Sequence, residues 1–195
     1  MNSESRPHGL LLTGGTSRRM GADKSQSKVG GVPMGTRAGR ALMQAASPVL
    51  AIGPDPGLGL PVVNDAGMGP LAGLATGMRR LAEDGFAGPV LLVACDLPFL
   101  TPELLGMLAT ELAGAQAAVP VADGRLQPLA ACYDASVLPV AESLVAQGRL
   151  SMGALLDAIA VSPVQPEAWA GYAGPGALTD VDTPADLHAA NEAAK

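Results

Sequence analysis

Two apolar runs constrain this chain more than anything else in it. Residues 9–13 read "GLLLT" and residues 89–95 read "PVLLVAC", with almost no polar side chain at any position. A strand with one wet face alternates apolar and polar residues, because successive side chains point to opposite sides. A run without alternation must be covered on both faces, which is the condition of a parallel sheet sandwiched between helices.

The rest of the chain repeats that theme. Apolar runs bounded by Gly, Pro and Asp predict strands near residues 9–13, 48–53, 61–64, 89–95, 116–121 and 128–133. Between them, amphipathic stretches predict helices near 33–46, 70–84, 102–113, 134–147 and 151–160. In the second of these, Leu71, Leu74, Met78 and Leu81 fall at helical spacing as core contacts. The alternation predicts a doubly wound α/β fold, a mostly parallel sheet with helices on both faces, over a single domain of residues 1–195. The stretch "PEAWAGYAGPG", 166–176, reads either as the nearest thing to a linker or as a loop closing over a substrate. A final short strand is expected to lead into "DTPADLHAAN", where Thr183 caps a helix, Pro184 takes its first position and Asp186 completes a capping box.

Charge and cysteine content narrow the function classes. The formal net charge is -6, yet residues 1–50 hold seven Lys/Arg against two Asp/Glu, leaving five against sixteen in the remainder. That distribution argues against a general nucleic-acid surface but permits a local polyanion site near the N-terminus. Arg37 and Arg40 fall on a predicted helix and read as ordinary solvated charges. Cys95 and Cys132 sit in strand-like runs as small buried hydrophobes, and His8 and His188 form no recognisable ligand pair, so zinc chemistry is disfavoured. No apolar run approaches the roughly 20 residues that span a bilayer. The first residues lack a secretory pattern, and a cytoplasmic protein without membrane partners is expected.

In open parallel sheets ligands bind beyond the carboxyl ends of the strands, and the residues there form a polar set. After the first strand come Gly14, Gly15, Arg18, Arg19 and Lys24; after the third, Asp65; after the fourth, Asp96; near the C-terminus, Asp180 and Asp182. The glycines let backbone N–H groups approach phosphate oxygens, and the three cations can neutralise several charges. Neither G-x-x-x-x-G-K-[ST] nor G-x-G-x-x-G is present, which disfavours a generic kinase or dehydrogenase. Asp96 ends the most hydrophobic strand, where a carboxylate is costly unless hydrogen-bonded or bound to a cation; Mg2+ bridged to substrate phosphates would satisfy it, as would a capping role before Pro98 or Pro102. Asp182 reads as a second carboxylate near that metal or as part of the helix cap. Asp65 reads as a turn former or as a contact to base or ribose.

At these residues the chain resembles a known family. "LLLTGGTSRRMGADK" is similar to the L-x-G-G-x-S-x-R-M-G-x-D-K signature of the nucleotidyltransferases related to molybdenum cofactor guanylyltransferase. "NDAGMGPLAGL", "ACDLPFL", "QPLAACY" and "DVDTPADL" recur in that family's order and approximate spacing, so the similarity covers nearly the whole chain. The resemblance implies a fold of nucleotide-diphospho-sugar-transferase type and transfer of GMP from GTP to the phosphate of molybdopterin, with Mg2+ and release of pyrophosphate. Matched by position, Leu12, Thr13 and Gly14 line the nucleotide, Lys24 meets its phosphates, Asp65 contacts the guanosine part, and Asp96 binds nucleotide and Mg2+; Gly15 is expected beside them in the phosphate loop, and Arg19 with Lys24 is expected to meet the charge that develops on the leaving pyrophosphate. Molybdoenzyme maturation chaperones are the implied downstream partners.

The chain departs from the family where Thr13 replaces an alanine, where "SQSKVGG" is unusually polar, and where "AIGPDPG" follows the second strand in place of an Asn-containing segment. Asp180 and Asp182 stand where relatives often carry asparagine. A CTP-dependent enzyme on the same acceptor, a guanylyltransferase for another phosphorylated acceptor, and a catalytically silent binding module remain the alternatives at this stage. Removing the fixed cation of the signature by Lys24→Ala is expected to cut transfer by about a hundredfold or more while circular dichroism and thermal melting stay near wild type. Near-normal turnover in the folded variant would remove Lys24 from the site.

Overall fold

The computed structural model describes residues 6–14, 26–65, 67–174 and 176–195. Its strands are β1 (His8–Leu12), β2 (Lys28–Val29), β3 (Val32–Pro33), β4 (Val49–Ile52), β5 (Val62–Val63), β6 (Val90–Ala94), β7 (Ala117–Ala122), β8 (Arg125–Leu126), β9 (Ala130–Tyr133) and β10 (Val161–Val164). Its helices are α1 (Met34–Ala45), α2 (Pro70–Glu83), α3 (Pro102–Thr110), α4 (Leu138–Ala146), α5 (Met152–Leu156), α6 (Pro166–Trp169) and α7 (Pro184–Ala193).

The main sheet runs β10-β7-β9-β6-β1-β4-β5, with β8 paired to β7. β1 is parallel to β4 on one side and to β6 on the other, with Leu12 opposite Ile52 and Ala94. β9 runs antiparallel to both β6 and β7, and β10 returns parallel to β7. The carboxyl ends of β1, β4, β5 and β6 therefore meet at one edge.

The unbroken apolar runs have the cause inferred for them. Leu11 of β1 and Leu91 and Val93 of β6 face one core with Leu42 of α1 and Leu104 and Leu108 of α3. Leu10 and Leu12, with Leu92 of β6, face the other core against Leu71, Leu74 and Met78 of α2, Leu144 of α4 and Leu155 of α5. Every residue of β1 and β6 is buried. Each such leucine contributes about 1.5–3 kcal/mol relative to exposure, which pins the register of the central strands. Cys95 and Cys132 are buried, and burial pushes the Cys132 thiol up to about 12, leaving it a small hydrophobe.

Two expectations need correction, and several elements were not expected. No strand forms before "DTPADL"; residues 179–182 are irregular, and Val181 N–H instead donates to the Asp96 carbonyl at 3.0 Å. The helix expected over 151–160 stops at Leu156. The next residues make β10, an edge strand that tolerates Pro163 because its missing N–H faces away from the ladder. The segment 166–176 contains the short helix α6 and is tied down: Trp169 Nε1 donates to Val121 O at 3.0 Å, and Thr101 Oγ1 donates to Tyr172 O at 2.7 Å. The β2–β3 hairpin and β8, each too short to show a period, were not expected.

Close helix–sheet packing rests on Gly77 of α2. A Cβ there would lie 2.7 Å from both Leu10 methyls and 3.0 Å from Ile52 Cδ1, all in fully buried side chains. At Gly106 of α3 nothing lies within 4 Å. Replacing Gly by Ala in a helix gains up to about 1 kcal/mol, whereas overpacking a dense core costs about 1–3 kcal/mol. Gly106→Ala is thus expected to raise the melting temperature and Gly77→Ala to lower it; a stabilising Gly77→Ala would show that the helix–sheet contact is looser than described.

Candidate nucleotide site at the strand exits

The exits of β1 and β4 cross at backbone contact distance. Thr13 N–H donates to Ile52 O at 3.0 Å, and its hydroxyl, 3% exposed as a residue, lies 2.6 Å from Pro54 O and 3.1 Å from Ile52 O. The Thr13 hydroxyl thus clamps the two exits together, which an alanine at this position could not do. Gly53 makes the crossing possible. Its φ is +110°, and a Cβ there would lie 2.7 Å from Gly14 N and 3.0 Å from Gly14 Cα. Both facts exclude a side chain, because positive φ is strained for L residues and backbone cannot move aside as a flexible side chain would.

Asp65, half-buried beyond β5, comes to the same crossing. A Cβ on Gly14 would sit 3.6 and 3.8 Å from its two carboxylate oxygens, and one on Gly73 of α2 would sit 3.7 Å from Oδ2. Its Oδ1 also accepts from Gly67 N–H at 3.3 Å, so the turn-forming role and the placement beside the first strand exit coexist in one carboxylate.

Asp96 is held through its own peptide and its neighbours. Cys95 N–H donates to Leu12 O at 3.0 Å, fixing the β6 exit to the β1 exit. The Asp96 carbonyl accepts from Val181 N–H, which draws residues 180–182 alongside. The cap of α3 is Thr101, whose Oγ1 accepts from Leu104 N–H at 3.2 Å, so that cap does not fall to Asp96. At α7 the capping box is Thr183 with Asp186, as expected: Asp186 Oδ2 accepts from Thr183 N–H at 2.7 Å and also from Asp182 N–H at 3.0 Å. Asp96 and Asp182 are both half-buried, and Asp180 is exposed.

The structure thus brings together Gly14, Asp65, Asp96 and the segment carrying Asp182. Leu12 faces the core with 6% exposure, so it meets the site only through its backbone. Gly15, Arg18, Arg19 and Lys24 lie outside the described residues. Among the described residues no group of three His, Cys, Asp or Glu is placed to hold a metal ion. A pair of carboxylates is nevertheless the donor set that Mg2+ commonly takes from protein when phosphates and water supply the rest.

Sequence reasoning missed two contributors. Gly53 carried only the weak signal of a glycine after an apolar run. Arg37 was expected among solvated helix charges, yet it is half-buried, with Nε donating to Pro98 O at 3.0 Å, Nη1 to Val29 O at 3.3 Å, and its guanidinium 5.5 Å from the Phe99 ring centre. Arg40, one turn on, is exposed as expected.

Comparison with known proteins adds an independent line. Residues 9–162 match the model of the MobA-like NTP transferase domain. A relative from Mycolicibacterium paratuberculosis that carries the name molybdenum cofactor guanylyltransferase is 36% identical over 95% of this chain and 95% of its own. One of the same name from Mycobacterium tuberculosis is 34% identical over 93% and 91%. The crystal structure of molybdopterin-guanine dinucleotide biosynthesis protein A from Archaeoglobus fulgidus superposes with a TM-score of 0.78 at 24% identity, covering 95% of this chain and 97% of that one, a likeness of fold.

Gly53→Ala is expected to destabilise by about 1–3 kcal/mol through backbone strain alone and to weaken nucleotide binding as Gly14 is displaced. Denaturant unfolding and nucleotide titration on the same preparation check both effects. Wild-type binding in a destabilised variant would separate the crossing from the ligand.

Proposed function

This chain belongs to the MobA-like NTP transferase family, and on that premise we propose that it transfers GMP from GTP to the terminal phosphate of molybdopterin, releasing pyrophosphate. The observation that carries the reading is the convergence of Gly14, Asp65 and Asp96 at one edge of the sheet, in a chain whose relatives bear that enzyme's name over almost their full length.

In this reading the Thr13–Gly14 backbone and Gly15 receive the nucleotide, Arg19 and Lys24 meet its phosphates, and Asp65 takes the guanosine part. Asp96 and Asp182 are the residues that would hold Mg2+. Bound there, the ion would supply charge neutralisation along the triphosphate. An oxygen of the molybdopterin phosphate attacks the α-phosphorus of GTP as the α–β bridging bond breaks, and the electron pair leaves with pyrophosphate. No protein nucleophile is required, so positioning and fixed charge carry the rate. Arg19 and Lys24 stabilise the charge that grows on the leaving pyrophosphate. The product then passes to molybdoenzyme maturation partners.

Incubation with molybdopterin, Mg2+ and each nucleoside triphosphate, followed by mass analysis, tests the reaction. The expected product is the guanine dinucleotide from GTP with stoichiometric pyrophosphate. Product from CTP alone, or none from any nucleotide, would overturn the assignment. Asp182→Asn nearly preserves shape while removing one charge. It is expected to raise the Mg2+ concentration for half-maximal turnover with little change in melting temperature, and Asp180→Asn serves as the exposed control. An unchanged Mg2+ titration would leave Asp96 as the sole protein ligand.

A further inference from the structure

Asp96 stands in a turn whose outer side is gripped by a residue from another layer. Residues 95–99 leave β6 as two successive turns, "CDLPF". Arg37 of α1 donates through Nε to the carbonyl of Pro98, two residues beyond Asp96. The same guanidinium donates through Nη1 to Val29 O, in the hairpin that follows the family signature, and lies over the Phe99 ring. Val29 and Phe99 also share a small apolar cluster with Met34, Val181 and Leu187, at the point where Val181 N–H meets the Asp96 carbonyl. One planar group therefore ties the β2–β3 hairpin to the turn that carries Asp96.

We propose that Arg37 is a positioning residue for Asp96: by fixing the Pro98 carbonyl and the Phe99 ring against Val29, it holds the carboxylate where a divalent cation and nucleotide phosphates can engage it together. This rests on the proposed nucleotide transfer for its chemical setting, but not for its geometry. Arginine is required because two divergent donors and a flat face are used at once. A lysine ammonium is a point charge that can reach one carbonyl or lie over the ring, without spanning both carbonyls in a fixed plane. The cation–aromatic contact is compatible with the half-buried position, where partial desolvation strengthens it. The role assigned to Arg37 rests on the two N–H donors it gives to backbone carbonyls and not on attraction for phosphate.

The test compares Arg37→Lys and Arg37→Met with Arg40→Lys, the exposed neighbour on the same helix, in the full chain. Binding of Mn2+ together with a non-hydrolysable GTP analogue is followed by electron paramagnetic resonance, and melting temperature is recorded for each variant. We expect both Arg37 variants to need about tenfold more Mn2+ for half-saturation. Turnover should show the matching rise in Mg2+ requirement and a fall in kcat larger than any change in KM for GTP. Arg40→Lys should match wild type. A purely structural Arg37 would lower the folded fraction, and with it the amplitude of binding, while leaving the midpoint of the folded molecules unchanged; that result would overturn the proposal. Full retention of the Mn2+ midpoint in Arg37→Lys would overturn it too, because charge alone would then suffice. GMP transfer by the wild-type chain tests the reaction separately, so a failure there is distinguishable from a failure of the Arg37 comparison, which is read on binding.

Discussion

The structure depends on β1 lying between two parallel neighbours. With β4 on one side and β6 on the other, the exits of three strands are forced to one edge within backbone reach of one another. The crossing of Thr13 and Gly14 over Gly53, and the bond from Cys95 N–H to Leu12 O, are what remain of the ladder as the strands diverge. Burial of the leucines on both faces makes that arrangement rigid, because a shift of one residue would exchange two apolar faces against different helices. Polar groups placed on such exits inherit the precision of the core, which is what a transfer reaction driven by positioning needs.

Around that edge, unrelated parts of the chain act as props. Residues 180–182 reach Asp96 through the backbone bond from Val181 N–H, and α7 begins immediately beyond, with its capping box holding Asp182 N–H as well as Thr183 N–H. The segment 169–172 is fastened to the β7 strand and to the Thr101 cap of α3, which places it at the same edge. Thr101 serves twice, accepting from Leu104 N–H and donating to Tyr172 O. The C-terminal quarter of the chain thereby supports the loop that carries Asp96, although it lies far from it in sequence.

Much of this was legible in the residues, and the reasons are specific. Non-alternating runs such as "VLLVA" announce a strand covered on both faces, and Thr183 three residues before Asp186 announces a capping box, because each is a local consequence of local chemistry. β10 was hidden since Pro163 and a two-sided edge position erase the apolar signal on which strand assignment relies. A final short strand was expected to lead into "DTPADLHAAN", yet the bond from Val181 N–H to the Asp96 carbonyl stands there in place of a ladder. In the candidate site, Asp65 and Asp96 could be picked out as carboxylates at strand exits, whereas Arg37 could not. Its importance lies in carbonyls at Val29 and Pro98, 8 and 61 residues away in the chain, and a helix position by itself does not reveal which face meets them.

The central claim is that the nucleotide sits on the crossing of the β1, β4 and β6 exits. Amide hydrogen exchange with and without GTP and Mg2+ addresses it directly. The account predicts added protection at Thr13, Gly14, Gly53 and residues 95–97, with no change at the opposite edge, where His8 begins β1 and packs against Phe86 with ring centres 4.7 Å apart. Protection centred on His8 and Phe86, or none at the strand exits at saturating GTP, would contradict it.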